Sequence, residues 1–271
     1  MTEKRSILVT GAYGGMGRAT VRHLAKKGYR VFALDKKVMG EEENIIPIES
    51  DITDKESVSR AFERVKEQTG NLFAVIHFAG IYMLDSLVEI SDENFERIFK
   101  INLGGVFLVN KTFLPLMNRG SRILITTSEL APLDPLPFTG IYALTKGVLD
   151  KYAYSLRMEL QLLGIEVAVL RSGAVDTGML GASLEALDDF HKKTELYTCN
   201  AERFKKIVNG VEARCVSAEA IAKKVNRIIE KGRLSFSYSI NRNPLLLMLN
   251  TLPKRLQLWI IKKVLKSKNS R

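Results

Sequence analysis

A single-domain α/β fold, with a doubly wound parallel sheet of about seven strands and helices on both faces, is predicted by three features of the sequence. Short β-branched runs, most of them apolar on both faces, alternate with longer amphipathic stretches. A glycine-rich turn joins the first run to the first amphipathic stretch. Glycines also sit just past several of those stretches, where a helix ends in a left-handed cap.

Taken in order, strands are expected at Ser6–Thr10, Arg30–Leu34, Ile45–Glu49, Leu72–Phe78, Arg122–Thr127 and Ile165–Leu170. Helices are expected at Met16–Lys27, Asp54–Gln68, Asp92–Met117, Gly140–Leu163 and Ala218–Lys231, with Gly28, Gly70 and Gly164 beyond three of them. Alternation of this kind requires right-handed crossovers. Two segments break it, Asp176–Val216 and the tail from Asn243 onward. In such a sheet the long stretch after a late strand lies at the carboxyl edge, where ligands bind.

Composition narrows the function classes. Of 271 residues, 46% are apolar and 26% charged, which excludes a disordered or collagen-like chain. Cys199 and Cys215 are too few for a disulfide framework, and no zinc-like spacing occurs. The start, MTEKRSILVT, runs from charged residues into a strand without a leader's apolar region, and no run of 18 apolar residues occurs. A cytoplasmic protein is expected. The net charge of +11 is concentrated at one end: Lys254, Arg255, Lys262, Lys263, Lys266, Lys268 and Arg271 face no acid after Pro244, and without them the chain carries +4. No groove-following basic pattern or stacking platform accompanies that charge, so nucleic acid is not an expected partner.

The turn Thr10-Gly11-Ala12-Tyr13-Gly14-Gly15-Met16-Gly17 lets backbone amides at a helix N-terminus approach a pyrophosphate. Asp35 ends the second strand, placed to accept hydrogen bonds from an adenosine ribose. Its charge repels a 2′-phosphate, so NAD(H) is favoured. Lys36 and Lys37 keep NADP(H) as the alternative. Tyr142 and Lys146 stand i, i+4 on one helix face, so a cation can draw the phenol's pKa down from about 10 toward a working range. Ser128, after the strand ending Thr126-Thr127, offers a hydroxyl to a carbonyl oxygen.

In these motifs the chain resembles the short-chain dehydrogenase/reductase family over roughly residues 5–240. The resemblance implies a Rossmann-like domain over 1–243, with a substrate loop near 176–216 and a basic amphipathic extension at 244–271. It rests on Thr10, Gly11, Gly15 and Gly17 of the glycine turn, on Asp51-Ile52 as an adenine-holding pair, and on Phe78-Ala79-Gly80 after the fourth strand. Asn102, Ser128, Tyr142 and Lys146 match the family's catalytic tetrad. Arg171 to Thr177, including Val175, match the segment that cradles the nicotinamide. Tyr13, Gly14 and Met16 lie within the cofactor turn. By the same resemblance Tyr142 is the acid–base group, Ser128 holds the substrate oxygen, Lys146 holds the ribose and lowers the Tyr142 pKa, and Asn102 positions a water. His77 and Phe78 replace two asparagines that tie the family's central sheet together, and Ser172 replaces a proline, which predicts a looser loop.

For substrate, Met179, Leu180, Leu184, Leu187, Phe190, Leu196, Tyr197 and Phe204 either line a pocket or pack the segment onto the sheet, with packing the better default. Pro132–Phe138 is expected at the same cleft. The tail resembles a helix lying on an anionic membrane, with a lid or a subunit interface as alternatives. A lipophilic secondary alcohol or ketone, hydroxysteroid or bile-acid-like, is the favoured substrate. A 3-oxoacyl-thioester reductase and a non-catalytic dinucleotide sensor are the other readings. The resemblance implies a homodimer or homotetramer.

Overall fold

The computed structural model describes residues 4–212 and 215–266, with side chains described outside 178–184 and 208–212. Seven parallel strands form one sheet: β1 (Ser6–Thr10), β2 (Arg30–Asp35), β3 (Ile45–Glu49), β4 (Leu72–His77), β5 (Arg122–Thr126), β6 (Glu166–Ser172) and the edge strand Ser237–Ile240. Two-residue strands β7 (Val175–Asp176) and β8 (Val216–Ser217) pair separately, which makes the edge strand β9. The sheet order is β3-β2-β1-β4-β5-β6-β9. Helices α1 (Gly15–Lys26), α2 (Lys55–Lys66), α3 (Asp92–Phe99), α4 (Gly105–Phe113) and α5 (Gly140–Leu160) follow in turn. They are succeeded by α6 (Gly178–Lys193), α7 (Thr198–Glu212), α8 (Ala218–Ile229), α9 (Pro244–Thr251) and α10 (Lys254–Leu265).

The pleat sends alternate residues to two cores. Leu8 joins Phe32, Leu34 and Ile48 beneath α2, α4 and α5, while Ile7 and Val9 join Val21, Leu24, Ile221 and Val225 beneath α1 and α8. Burying each such side chain is worth about 1.5–3 kcal/mol, so a one-residue slip that exchanged the faces is strongly disfavoured. The doubly covered sheet expected from sequence is therefore what forms, with strand ends within two residues of the expected ones.

Three expectations are corrected. The single helix over 92–117 is broken: α3 and α4 are joined by a π-helical turn, Lys100–Gly104. Gly28 and Gly164 adopt positive φ (89° and 75°), whereas Gly70 is absent from the left-handed residues because α2 ends well before it, at Lys66. The edge strand β9 was not foreseen, its Ser-Tyr-Ser-Ile sequence lacking an apolar run.

His77 does not loosen the sheet. Its Nε2–H donates to Asn110 Oδ1 at 2.8 Å, which leaves Nδ1 to accept from Thr10 Oγ1 at 3.5 Å. Asn110 Nδ2 in turn donates to Tyr152 Oη at 3.3 Å. One imidazole thus ties β1, β4, α4 and α5 together. Burial pushes its pKa down to about 4, so it folds as the neutral ring. The unfolded chain takes up this proton near pH 6.5, and the native chain does so only near 4. Stability is thus lost as pH falls through that window, by about 1.4 kcal/mol per unit. His77→Asn is expected to flatten this part of the acid limb in urea denaturation between pH 6.5 and 4. Parallel curves for wild type and variant would contradict it.

Candidate active site

Strand order reverses between β1 and β4, and a ligand crevice opens beyond their carboxyl ends. The glycine turn crosses this point. Gly11 adopts φ 65°, and a Cβ there would lie 2.5 Å from Ala79 N. A Cβ on Gly17 would lie 2.0 Å from Gly11 O, so neither position accepts a side chain without opening the turn. At Gly15 it would stand 2.4 Å from Thr177 Cβ, which places the segment after β6 directly against the turn. Gly14 has only an ordinary neighbour, at 3.5 Å. Helix α1 starts without a capping side chain, the arrangement in which N-terminal amides serve an anion. A dinucleotide pyrophosphate fits this cradle.

The remaining cofactor candidates surround it. Asp35 Oδ2 accepts from Tyr13 N at 2.9 Å and Oδ1 from Lys36 N at 2.8 Å, which fixes the carboxylate beside the turn. Lys36 Nζ lies 2.8 Å from Asp51 Oδ2, and Thr53 N and Oγ1 also bond Asp51, so these partners hold its carboxyl below the usual range despite partial burial. Ile52 packs under Gly105, and Phe78 N donates to Thr10 O at 3.0 Å. Met16, Phe78, Gly80, Val175 and Thr177 line the cavity described below.

Asn102 sits in the π turn, fully buried. Its Oδ1 accepts from Ile81 N at 2.8 Å, and its Nδ2 donates to Ile81 O at 3.0 Å and to Thr145 Oγ1 at 3.1 Å. Thr145 donates onward to Tyr142 O at 2.8 Å. The extra residue of a π turn aims the amide at a backbone segment from another element, and such turns recur at functional positions. A Cβ on Gly80 would stand 3.1 Å from Asn102 Oδ1 and 3.6 Å from Lys146 Nζ, so asparagine and lysine meet around this glycine. Ser128 Oγ accepts from Leu130 N at 3.2 Å, it lines the same cavity as Tyr142 and Lys146, and all four tetrad candidates are buried. The structure thus brings together the residues that the sequence picks out.

One electrostatic expectation changes. Lys146 Nζ lies 5.6 Å from the centre of the Tyr142 ring and donates to Thr126 O at 3.3 Å. Burial, helped by Tyr82, pushes the Tyr142 phenol above its ordinary pKa, with the Ser128 hydroxyl acting against it. Burial also draws the Lys146 ammonium down to about 8. Burial thus favours the protonated phenol at Tyr142 and the uncharged amine at Lys146.

The loop that lacks the family's proline is held by other means. Gly173 N donates to Ile240 O at 3.0 Å, Asn241 Nδ2 to Ala174 O at 2.8 Å, and Glu129 N to Ser172 O at 2.9 Å. The unforeseen β9 supplies the first of these anchors and the residue after it the second.

From this floor rises a cavity of about 540 Å³, lined by Ser128, Tyr142 and Lys146 below and by apolar residues above. Leu136 and Pro137 line it, in keeping with the expected place of that loop. Leu187, Phe190 and Tyr197 instead pack around Phe138, Phe204 both packs there and lines the cavity, and Leu196 is exposed; Met179, Leu180 and Leu184 lie outside the residues whose side chains are described. The roof is the tail itself: Leu246, Leu249, Ile260 and Ile261 line the cavity, which makes α9 and α10 a lid. Polar contacts fasten it. Asn243 N donates to Glu129 Oε2 at 2.6 Å, Asp134 N to Asn250 Oδ1 at 2.7 Å, Lys254 pairs with Asp134, and Asn200 Nδ2 donates to Leu265 O at 2.8 Å.

Sequence reasoning missed Thr145, Tyr82 and Glu129. Thr145 sits beside Lys146 in the motif, and only the fold reveals its bond to Asn102. Tyr82 packs against Tyr142 with ring centres 4.9 Å apart and the planes tilted by 58°. Glu129 is half-buried against the lid, and that burial raises its pKa.

A parallel doubly wound sheet with a glycine cradle at its switch point defines a dinucleotide-binding α/β protein. The model of the family described as short chain dehydrogenase matches residues 5–188, and the chain belongs to that family. It is 31% identical over 209 residues to estradiol 17-beta-dehydrogenase 2 of Mus musculus, a match covering 70% of this chain and 55% of that protein. The chain thus spans little more than half the length of this relative. It is also 31% identical over 180 residues to the 3-oxoacyl-[acyl-carrier-protein] reductase MabA of Mycobacterium avium, covering 66% and 70%. A short chain dehydrogenase from Burkholderia cenocepacia J2315, solved in complex with NADP, shares the fold at a TM-score of 0.74 and 21% identity, covering 98% of this chain and 99% of that one.

The glycine geometry separates two neighbouring positions. Gly17→Ala is expected to weaken NADH binding by at least tenfold in a fluorescence titration, while Gly14→Ala stays within threefold of wild type. Equal affinities for the two variants would contradict the cradle.

Proposed function

We propose that the chain is an NAD(H)-dependent dehydrogenase of a lipophilic secondary alcohol or its ketone, with a hydroxysteroid or bile-acid-like ring system favoured. The observation that carries this reading is the apolar cavity of about 540 Å³ whose floor is formed by Ser128, Tyr142 and Lys146. The nicotinamide would take the part of this cavity lined by Phe78, Gly80, Val175 and Thr177, which leaves the apolar part under α9 and α10 for the substrate. The likeness to an estradiol dehydrogenase supports the same class.

Thr10, Gly11 and Gly14 to Gly17 would hold the pyrophosphate, Asp35 the adenosine ribose, Asp51 and Ile52 the adenine, and Lys146 the nicotinamide ribose. Phe78 to Gly80, Val175 and Thr177 would flank the ring. When bound, the cofactor supplies or accepts the hydride. Asp35 supports NAD(H), and Lys36, already paired with Asp51, is less available for a 2′-phosphate. A comparison of kcat/KM for NADH and NADPH tests this, with NADH at least tenfold better as the expected result.

In reduction Tyr142 Oη donates its proton to the oxygen that gains charge, and Ser128 Oγ donates to the same oxygen. The ammonium of Lys146 steadies the phenolate left behind. Asn102, through Ile81 and Thr145, holds the helix carrying both. In oxidation the proton returns to Tyr142. Lys146 titrates near 8, so kcat/KM for ketone reduction should fall above that pH, and Lys146→Arg should move the fall upward.

The exposed apolar residues Phe107, Leu144, Val148 and Tyr154 on α4 and α5 support a homodimer or homotetramer built on those helices. Helices α9 and α10 act as a lid whose outer side supports peripheral contact with a membrane. Among the described residues no helix is long and apolar enough to cross one. The MabA relative favours, as a second reading, a 3-oxoacyl-thioester reductase.

A panel of steroid, bile-acid, sugar and acyl-thioester substrates followed by NADH absorbance decides between these classes. Turnover of a steroid or bile-acid substrate is expected, and Tyr142→Phe should lower kcat at least a hundredfold while NADH still binds. A panel in which only acyl thioesters react would overturn the substrate class, and tight NADH binding with no turnover would favour a sensor.

A further inference from the structure

The cavity does not end beneath the lid. Ile207, Leu245, Met248 and Val264 line it and are also 40%, 62%, 62% and 48% exposed. Residues that belong to both the lining and the surface mark a mouth, and this one opens between α7, α9 and α10. Its rim is apolar, which is costly toward water.

The ground beside the mouth has a consistent chemistry. Leu258 and Trp259 on α10 are 68% and 56% exposed. Lys254, Arg255, Lys262, Lys263 and Lys266 are exposed around them, and α9 and α10 contain no acid. Lys263 Nζ lies 4.9 Å from the Trp259 ring centre, so ammonium and indole share one level. Asp134 faces this surface from the neighbouring loop and is already paired with Lys254.

We propose that this face docks on an anionic lipid surface and that the mouth is a portal through which a membrane-dissolved substrate reaches Tyr142 without crossing water. Apolar side chains beside a border with cations in excess, where Asp134 and Glu202 are each paired with a lysine, match the acyl boundary and the headgroup phosphates of such a surface. A second copy of the chain would bring like charges together. An acidic carrier protein would satisfy the lysines but leave Leu258 and Trp259 without an apolar partner. The portal rests on the lipophilic-substrate reading, whereas docking is measured without turnover, so the two fail separately.

The test uses the full chain with NADH and two kinds of vesicle, phosphatidylcholine alone and phosphatidylcholine with about a third phosphatidylserine. Flotation should recover the protein with the anionic vesicles and release it in high salt. The double variant Lys262→Glu, Lys263→Glu should lower that partition at least tenfold, and Leu258→Ala with Trp259→Ala should do likewise. Neither pair lines the cavity, so NADH binding should stay as in wild type. Both pairs should also lower kcat/KM for a ketone delivered in anionic vesicles, and leave it unchanged for the same ketone delivered in cyclodextrin. No flotation of wild type, or flotation indifferent to both pairs, would overturn docking, as would capture by an acidic acyl carrier protein in place of vesicles. Docking with equal loss of activity by both delivery routes would overturn the portal.

Discussion

The active site depends on one buried amide. Asn102 has no access to water, and its two polar atoms are spent on both backbone groups of Ile81 and on the Thr145 hydroxyl. A buried amide of this kind costs several kcal/mol if left unpaired, so the three segments it joins are held together or all are lost. One segment follows β4 and carries Phe78 to Gly80 beneath the cofactor crevice. Another is α5, which carries Tyr142 and Lys146. The π turn between α3 and α4 exists at the point where this amide must leave its own helix.

Around that centre the same logic repeats with other side chains. His77 ties β1 and β4 to α4, Glu129 ties the strand end carrying Ser128 to the lid, and the β9 edge ties down the loop before Thr177. Burial then sets the chemistry. It makes Tyr142 a phenol that keeps its proton and Lys146 an ammonium that gives one up near pH 8. The lid lies over the same place, since Leu246, Leu249, Ile260 and Ile261 of α9 and α10 line the cavity that Tyr142 and Lys146 floor.

Much of this was legible in the sequence because it rests on local patterns. Strands buried on both faces read as apolar runs, the glycine turn reads as Thr10 to Gly17, and Tyr142 and Lys146 read as one face of a helix. The parts that were not legible depend on contacts between distant segments. The π turn leaves the apolar period around Asn102 unbroken. Ser237–Ile240 forms a strand only because β6 offers it an edge. In the sequence His77 reads as the loss of an amide, and only the fold sets Thr10 and Asn110 on either side of it. In α10 the apolar period is the same whether Ile260 and Ile261 face a bilayer or a cavity. The fold assigns them to the cavity and leaves Leu258 and Trp259 outside.

We propose that Asn102 holds Tyr142 and Lys146 in place for proton transfer without itself binding cofactor. The most direct measurement compares Asn102→Ala with wild type for NADH affinity and for kcat on the best ketone of the substrate panel. NADH affinity within threefold of wild type, with kcat reduced at least a hundredfold, is the predicted result. A kcat near wild type would contradict it.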